Sequence, residues 1–253
     1  MRILKRLRKE SSVDGRSIVR KEKEYFVRDE NADFHSDSGI ISKEDLAKPD
    51  GTLFTSNKGM EFVAFTPKFI DLYRKISRAA QVIPLKDVGS IITKTGISED
   101  SRVVDAGAGS GALALMLAHF AGEVTTYDIR EDHLERVRQN AEYLGIKLSI
   151  KNGNLYEGVE EKDLDCMTLD LPEPWEALNT IRQSLKVGGF VVVYNPSIVQ
   201  ITDFVNSLEP WLEVQTIVEI NEREWEIKGR KVRPKRPQIY HSGFLCFARR
   251  VMR

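Results

Sequence analysis

The chain has 253 residues, with 38 Lys plus Arg against 38 Asp plus Glu, 41% hydrophobic residues and two cysteines. That supplies a sizeable core for one large domain, or one domain with a small companion. No apolar run approaches the ~20 residues that span a bilayer, Cys166 and Cys246 are too few for a disulfide framework or a four-thiolate zinc site, and the basic opening MRILKRLRK runs into polar ESSVDGR where a secretory leader would be apolar.

The expectation is a soluble, cytoplasmic protein without membrane segment or metal. Its neutrality hides segregation. Residues 97–176 carry 17 acidic and 7 basic side chains, residues 228–253 carry 9 basic and no acidic ones, and residues 1–30 carry 10 basic and 6 acidic. Two basic segments flanking an acidic middle describe either solvated charged faces or a surface for a polyanion such as nucleic acid.

In chain order, residues 11–62 read as short strands and turns. Asn31-Ala-Asp33, Asp37-Ser-Gly39 and Pro49-Asp-Gly51 supply the turn chemistry, and no helical period is sustained. A small β module over residues 1–65 is expected. Residues 67–80 have helical spacing, with Phe69, Leu72, Tyr73 and Ile76 on one stripe, and a second helix spans 84–96. From residue 102 the pattern alternates. Strands are expected at 102–107, 123–128, 148–153, 166–171 and 189–196, and helices at 110–120, 131–145, 174–185 and 197–208. Such alternation predicts an α/β domain over 66–253, a mostly parallel Rossmann-like sheet with helices on both faces. The last strands, about 213–227 and 242–250, are joined by a basic, proline-containing loop and are expected as an antiparallel pair.

The first strand of that alternation ends in Asp105-Ala106-Gly107-Ala108-Gly109-Ser110-Gly111, and a helix follows at once. Glycine serves where backbone turns sharply and approaches a ligand, and this turn of a doubly wound sheet is where nucleotide-like ligands sit. The spacing is one residue shorter than the dinucleotide fingerprint, and no lysine stands in a P-loop position. Asp128 ends the second strand, where a carboxylate accepts from a ribose diol. Acid before the loop, glycines in it and acid at the next strand end suit S-adenosylmethionine, a cationic adenosine derivative without phosphate. A purely structural turn and an NAD site are the competing readings. Asn154 after the third strand is a candidate for the cofactor adenine, or a turn residue. His133 is a candidate for the ribose, or a surface histidine.

The fourth strand closes in Leu169-Asp170-Leu171-Pro172-Glu173-Pro174-Trp175. Its carboxyl end faces the crevice that holds the glycine loop, and Trp175 offers a π-face for a base. Acidic-x-Gly-x-Gly-x-Gly followed by a strand-ending Asp-Leu-Pro-x-Pro resembles the tRNA adenine-N1 methyltransferases of archaea and bacteria. Phe34-His35-Ser36-Asp37, Lys58-Gly59 with Glu61-Phe62, Lys86-Asp87, Tyr156-Glu157-Gly158, Arg223-Glu224-Trp225-Glu226 and His241-Ser242-Gly243 continue the resemblance over about residues 30–250. Two positions depart from the family pattern: Asn154 stands where an acid is common, and Leu85 separates Pro84 from Lys86.

The resemblance implies methyl transfer from S-adenosylmethionine to N1 of a T-loop adenine in tRNA, at position 58 and in archaea often also 57, by a homotetramer. It further implies that Asp170 contacts the target adenine, while Gly107 to Gly111 and Asp128 hold the cofactor. Adenine N1 is already a lone pair, so alignment matters more than a strong base. Charge growing on the base is met by a carboxylate, and the base must leave its stack to be reached. The basic segment 228–237, with Arg233, Lys235 and Arg236, is the expected phosphate contact. Other readings are a small-molecule methyltransferase of corrinoid-precursor type, a protein carboxyl methyltransferase, and a non-catalytic RNA-binding subunit on the same fold.

Overall fold

The computed structural model describes residues 1–13, 16–78, 81–236 and 241–253. The chain divides into two compact units, Met1–Lys75 and Ile76–Arg253.

The first unit holds β1 (Arg2–Arg6), β2 (Lys9–Val13), β3 (Arg16–Arg20), β4 (Lys23–Val27), β5 (Phe34–Ser36), β6 (Gly39–Ile41), α1 (Lys43–Leu46), β7 (Leu53–Thr55), β8 (Glu61–Phe65) and α2 (Phe69–Tyr73). An antiparallel sheet runs in the order β4-β1-β8-β7, and β2-β3 and β5-β6 form separate pairs. Leu4, Val27, Ile41, Leu46, Phe54, Met60, Phe62 and Ala64 form its core. The opening basic stretch is thus a strand central to this sheet: Ile3 and Leu4 are buried between flanking cations.

The second unit holds α3 (Leu85–Thr95), β9 (Arg102–Ala106), α4 (Ala112–Ala118), β10 (Glu123–Asp128), α5 (Glu131–Leu144), β11 (Ser149–Asn152), β12 (Leu164–Leu169), α6 (Leu178–Ser184), β13 (Leu185–Asn195), α7 (Ile198–Asn206), β14 (Leu212–Glu219), β15 (Trp225–Lys228), β16 (Lys231–Pro234) and β17 (Phe244–Arg250). Short 3-10 turns occupy Leu155–Glu157 and Pro174–Ala177. The seven-stranded sheet has the order β11-β10-β9-β12-β13-β17-β14. β11 through β13 are parallel, and β17 is antiparallel to both its neighbours. This is the Rossmann-like architecture with an antiparallel C-terminal pair. Leu134, Val137 and Ala141 of α5 are buried at helical spacing, while Glu131 and Asp132 occupy its first turn, where acids oppose the helix dipole favourably. α4 is buried all round, as its sequence ALALMLA requires.

Two expectations are corrected. The helix at 67–80 shrinks to Phe69–Tyr73, because the backbone N–H and C=O of Ser77 are both spent on the Asn140 side chain rather than on a helical ladder; residues 79 and 80 of that expected helix lie outside the described residues. The strand at 213–227 ends at Glu219, and the basic segment is no loop. Trp225–Lys228 and Lys231–Pro234 pair as a hairpin across the two-residue turn Gly229-Arg230. Residue 237 lies outside the described residues.

Candidate functional site

The strand order reverses between β9 and β12, because the chain runs outward from β9 to β11 and returns on β9's other side. Ligands of open α/β sheets bind outside the carboxyl ends of strands at such a point. Here the two strand tips touch. The Asp170 N–H donates to the Ala106 carbonyl at 2.9 Å. Gly107 has φ +89°, and a Cβ on it would lie 2.2 Å from the Asp170 carbonyl oxygen, so only glycine fits. Gly111 has φ +77°, and a Cβ there would lie 2.8 Å from Val137 Cγ1 of α5.

Between them the loop is held by β10. Gly107 and Ala108 N–H groups donate to the Tyr127 carbonyl at 3.0 and 3.1 Å, and the Gly109 N–H donates to Asp128 Oδ2 at 3.0 Å. Asp128 also accepts from the Arg130 N–H on Oδ1 at 2.9 Å and meets His133 Nδ1 at 2.9 Å on Oδ2.

Two pockets meet at Gly107. The first has about 440 Å³ of empty space, with Ile129, Leu155, Tyr156 and Leu171 as apolar walls and Asp128 and Asn154 as polar groups. That composition suits a flat heterocycle joined to a diol. The second, about 320 Å³, is lined by Gln81, Val82, Ile83, Leu113, the glycine loop, Asp105 and Asp170. Among the described residues lining the two pockets there is no Lys or Arg, which disfavours a pyrophosphate and favours a cation.

Asp105 is 2% exposed and accepts from Thr168 Oγ1 at 2.7 Å and Thr126 Oγ1 at 2.9 Å. Burial, against the pull of the two hydroxyls and with the Asp128 charge adding, pushes its carboxyl up to about 6. Asp170 is exposed at the cleft mouth, while protein crowds its other sides. That partial loss of water, with the Asp105 charge beside it, pushes its carboxyl up to about 7.

The structure brings Asp105, Gly107, Ala108, Gly109, Ser110, Asp128, Asn154 and Asp170 to the two pockets, while Gly111 lines neither and packs against Val137. His133 reaches them through Asp128. Asn154 caps the following turn: its Oδ1 accepts from the Tyr156 N–H at 3.1 Å and its Nδ2 donates to Glu157. Trp175 is half-buried against the core of the sheet. On the hairpin, Arg233 pairs with Glu226 at 3.0 Å and Lys235 pairs with Glu224, whereas Arg230, Lys231 and Arg236 make no ion pair among the described residues. His241 joins three segments, its ring nitrogens meeting Glu219 at 2.6 Å and the Pro196 carbonyl at 3.1 Å.

Several lining residues escaped the sequence reading. Ile129, 68% exposed beside Asp128, had a signal in being an unpaired apolar residue at a strand end. Gln81–Ile83 had none, since they reach the pocket through chain path alone. Lys86, Asp87 and Ser242 form a nearly buried triad, Lys86 Nζ meeting Asp87 at 2.8 Å and Ser242 Oγ at 2.6 Å. The Ser242 carbonyl accepts from the Tyr194 hydroxyl at 2.6 Å. Among the described residues no helix is long and apolar enough to cross a membrane, and no group of three or more His, Cys, Asp or Glu is arranged to hold a metal ion.

A family model described as the tRNA methyltransferase complex GCD14 subunit matches residues 61–239. The chain is 32% identical to the tRNA (adenine(57)-N(1)/adenine(58)-N(1))-methyltransferase TrmI of Methanocaldococcus jannaschii, covering 90% of this chain and 91% of that protein. It is also 32% identical to the tRNA (adenine(58)-N(1))-methyltransferase TrmI of Thermus thermophilus, covering 86% and 88%. A solved SAM-dependent O-methyltransferase from Thermotoga maritima superposes with a TM-score of 0.78 at 26% identity, covering 100% of this chain and 93% of that one.

Proposed function

Since the chain belongs to the GCD14/TrmI family of tRNA methyltransferases, we propose that it methylates N1 of a T-loop adenine in tRNA, at position 58 or 57, using S-adenosylmethionine in the crevice between β9 and β12. The observation that carries this reading is the contact of Gly107 with the Asp170 backbone. It sets the cofactor loop and the carboxylate assigned to the target base side by side.

The residues present fit that cofactor. The glycine cradle has no room for side chains at 107 and 111, and the lining offers carboxylates and no cation. Asp128 with Asn154 would hold the adenosine, and Asp105 the ammonium of the amino-acid end. S-adenosylmethionine supplies, when bound, a methyl group activated by its sulfonium. The chain's own part is alignment and electrostatics. Asp170, as carboxylate, accepts from the exocyclic amine of the target adenine and stabilises the positive charge that grows on the base. No strong base is required, because N1 attacks with its own lone pair.

The hairpin β15–β16 is assigned to tRNA phosphates, with Arg236 as the exposed candidate and Arg233 and Lys235 exchanging their acidic partners for RNA. A homotetramer and a cytoplasmic location belong to the same proposal: the family resemblance supports the first, the tRNA substrate the second. Sedimentation tests the tetramer. The decisive experiment incubates the chain with labelled S-adenosylmethionine and unmodified tRNA, then digests and identifies the nucleoside. Labelled 1-methyladenosine, mapped to 57 or 58, is expected. Cofactor binding without labelled RNA would overturn the tRNA reading in favour of a small-molecule acceptor.

A further inference from the structure

α5 presents its apolar stripe inward through Leu134, Val137 and Ala141, yet Asn140, 3% exposed, lies buried with them. A buried amide without partners costs several kcal/mol, so its hydrogen bonds must be accounted for. The side chain meets the backbone of Ser77 head to tail: Nδ2 donates to the Ser77 carbonyl at 2.8 Å, and Oδ1 accepts from the Ser77 N–H at 2.9 Å. The second Nδ2 proton goes to the Ser110 carbonyl at 2.9 Å. Three of the four bonds an amide can make are thus spent on backbone.

The two segments so joined serve the same pocket. Ser110 lies inside the glycine loop, and the same helix packs Val137 against Gly111 one turn earlier. Ser77 opens the stretch that, four residues on, becomes the Gln81–Ile83 wall of the pocket containing Asp105 and Asp170. We infer that Asn140 is a positioning residue that couples the glycine loop to the Gln81–Ile83 wall of that pocket, so that filling the loop fixes the wall through a single buried amide. The inference rests on the proposed cofactor site. Asn140 touches neither ligand. It acts through the Ser110 and Ser77 backbones, and no other side chain type of that size both donates twice and accepts once in this geometry.

The first test uses the wild-type chain. Amide exchange is measured with and without saturating S-adenosylmethionine, with binding followed separately by calorimetry. Protection of the Ser77 amide should rise about tenfold on binding. Binding with Ser77 protection unchanged overturns the inference alone, whereas a chain that binds no S-adenosylmethionine overturns the cofactor reading and this inference with it. The second test is Asn140→Asp, which keeps the shape but turns a lone pair toward two carbonyls. Measured well below its melting temperature, it should raise the Kd for S-adenosylmethionine about tenfold and lower kcat with the KM for tRNA nearly constant. A variant with lowered Tm but wild-type Kd and kcat would reduce Asn140 to a purely structural residue. If the variant does not fold, the exchange measurement on wild type decides.

Discussion

Asp105→Asn isolates the cost of keeping a carboxyl buried beneath the glycine loop. Its pKa rises from 3.8 to about 6 in the folded chain, chiefly through burial. The folded state therefore retains a proton that the unfolded chain has already lost, and stability falls as pH rises from about 4 to 6, after which the whole penalty stands. A rise of that size corresponds to roughly 3 kcal/mol. Asparagine keeps an acceptor for one threonine hydroxyl and can donate to the other, so most of the penalty disappears. The stability difference between variant and wild type should grow by roughly 2–3 kcal/mol from pH 4 to pH 8 and level off above pH 7. Urea unfolding followed by tryptophan fluorescence reads the relevant unit, because Trp175, Trp211 and Trp225 all lie in Ile76–Arg253. The same substitution should weaken S-adenosylmethionine binding about tenfold, a loss of roughly 1.4 kcal/mol, and remove the proton release expected of wild type on binding near pH 6. A difference that stays flat across pH 4 to 8 would refute the burial argument. A variant that binds the cofactor as well as wild type would refute the role given to the charge.

Asp170→Ala should lower methyl transfer to tRNA at least ~100-fold, with cofactor affinity within a few-fold, since one preorganised charge contact at the transition state is worth that much; nucleoside mapping with calorimetry checks both. With the Asp170 carboxyl raised to about 7, log kcat/KM should climb with unit slope below pH 7 and flatten above, and Asp170→Asn should show no such limb. Gly107→Ala places a methyl 2.2 Å from the Asp170 carbonyl oxygen, so cofactor binding should become undetectable by calorimetry while a Tm scan shows several degrees of loss. Charge reversal at Arg236 should weaken tRNA binding more than reversal of Lys235, which already pairs with Glu224, and should lower the salt slope of log K by about one.

The parts of the fold that were legible in the sequence are those whose burial pattern is local. β9, β10, α5 and β12 announce themselves through apolar runs and acid-led amphipathic spacing, and the glycine loop with Asp128 and Asp170 falls on their ends. β1 is hidden in the sequence because Ile3 and Leu4 sit among cations, so composition speaks for surface where the strand is central to its sheet. The hairpin looks like a loop in the sequence because Gly229-Arg230 is a weak turn pair inside a charge run and its strands bury little. Asn140 and the Gln81–Ile83 wall were invisible for a different reason. Asn140's partners are 30 and 63 residues away, and nothing in local periodicity encodes such a pairing, although a lone asparagine on an apolar stripe is the trace it leaves.

The place of β17 in the sheet has a consequence for biosynthesis. It separates β13 from β14, so a nascent chain that has finished β14 has nowhere to dock it until residues 244–250 emerge. Until then the outer edge of β13, with Val191 and Val193 on it, stands open as a template for any passing strand. Folding intermediates that have not yet added β17 should therefore aggregate through this edge more readily than the native chain.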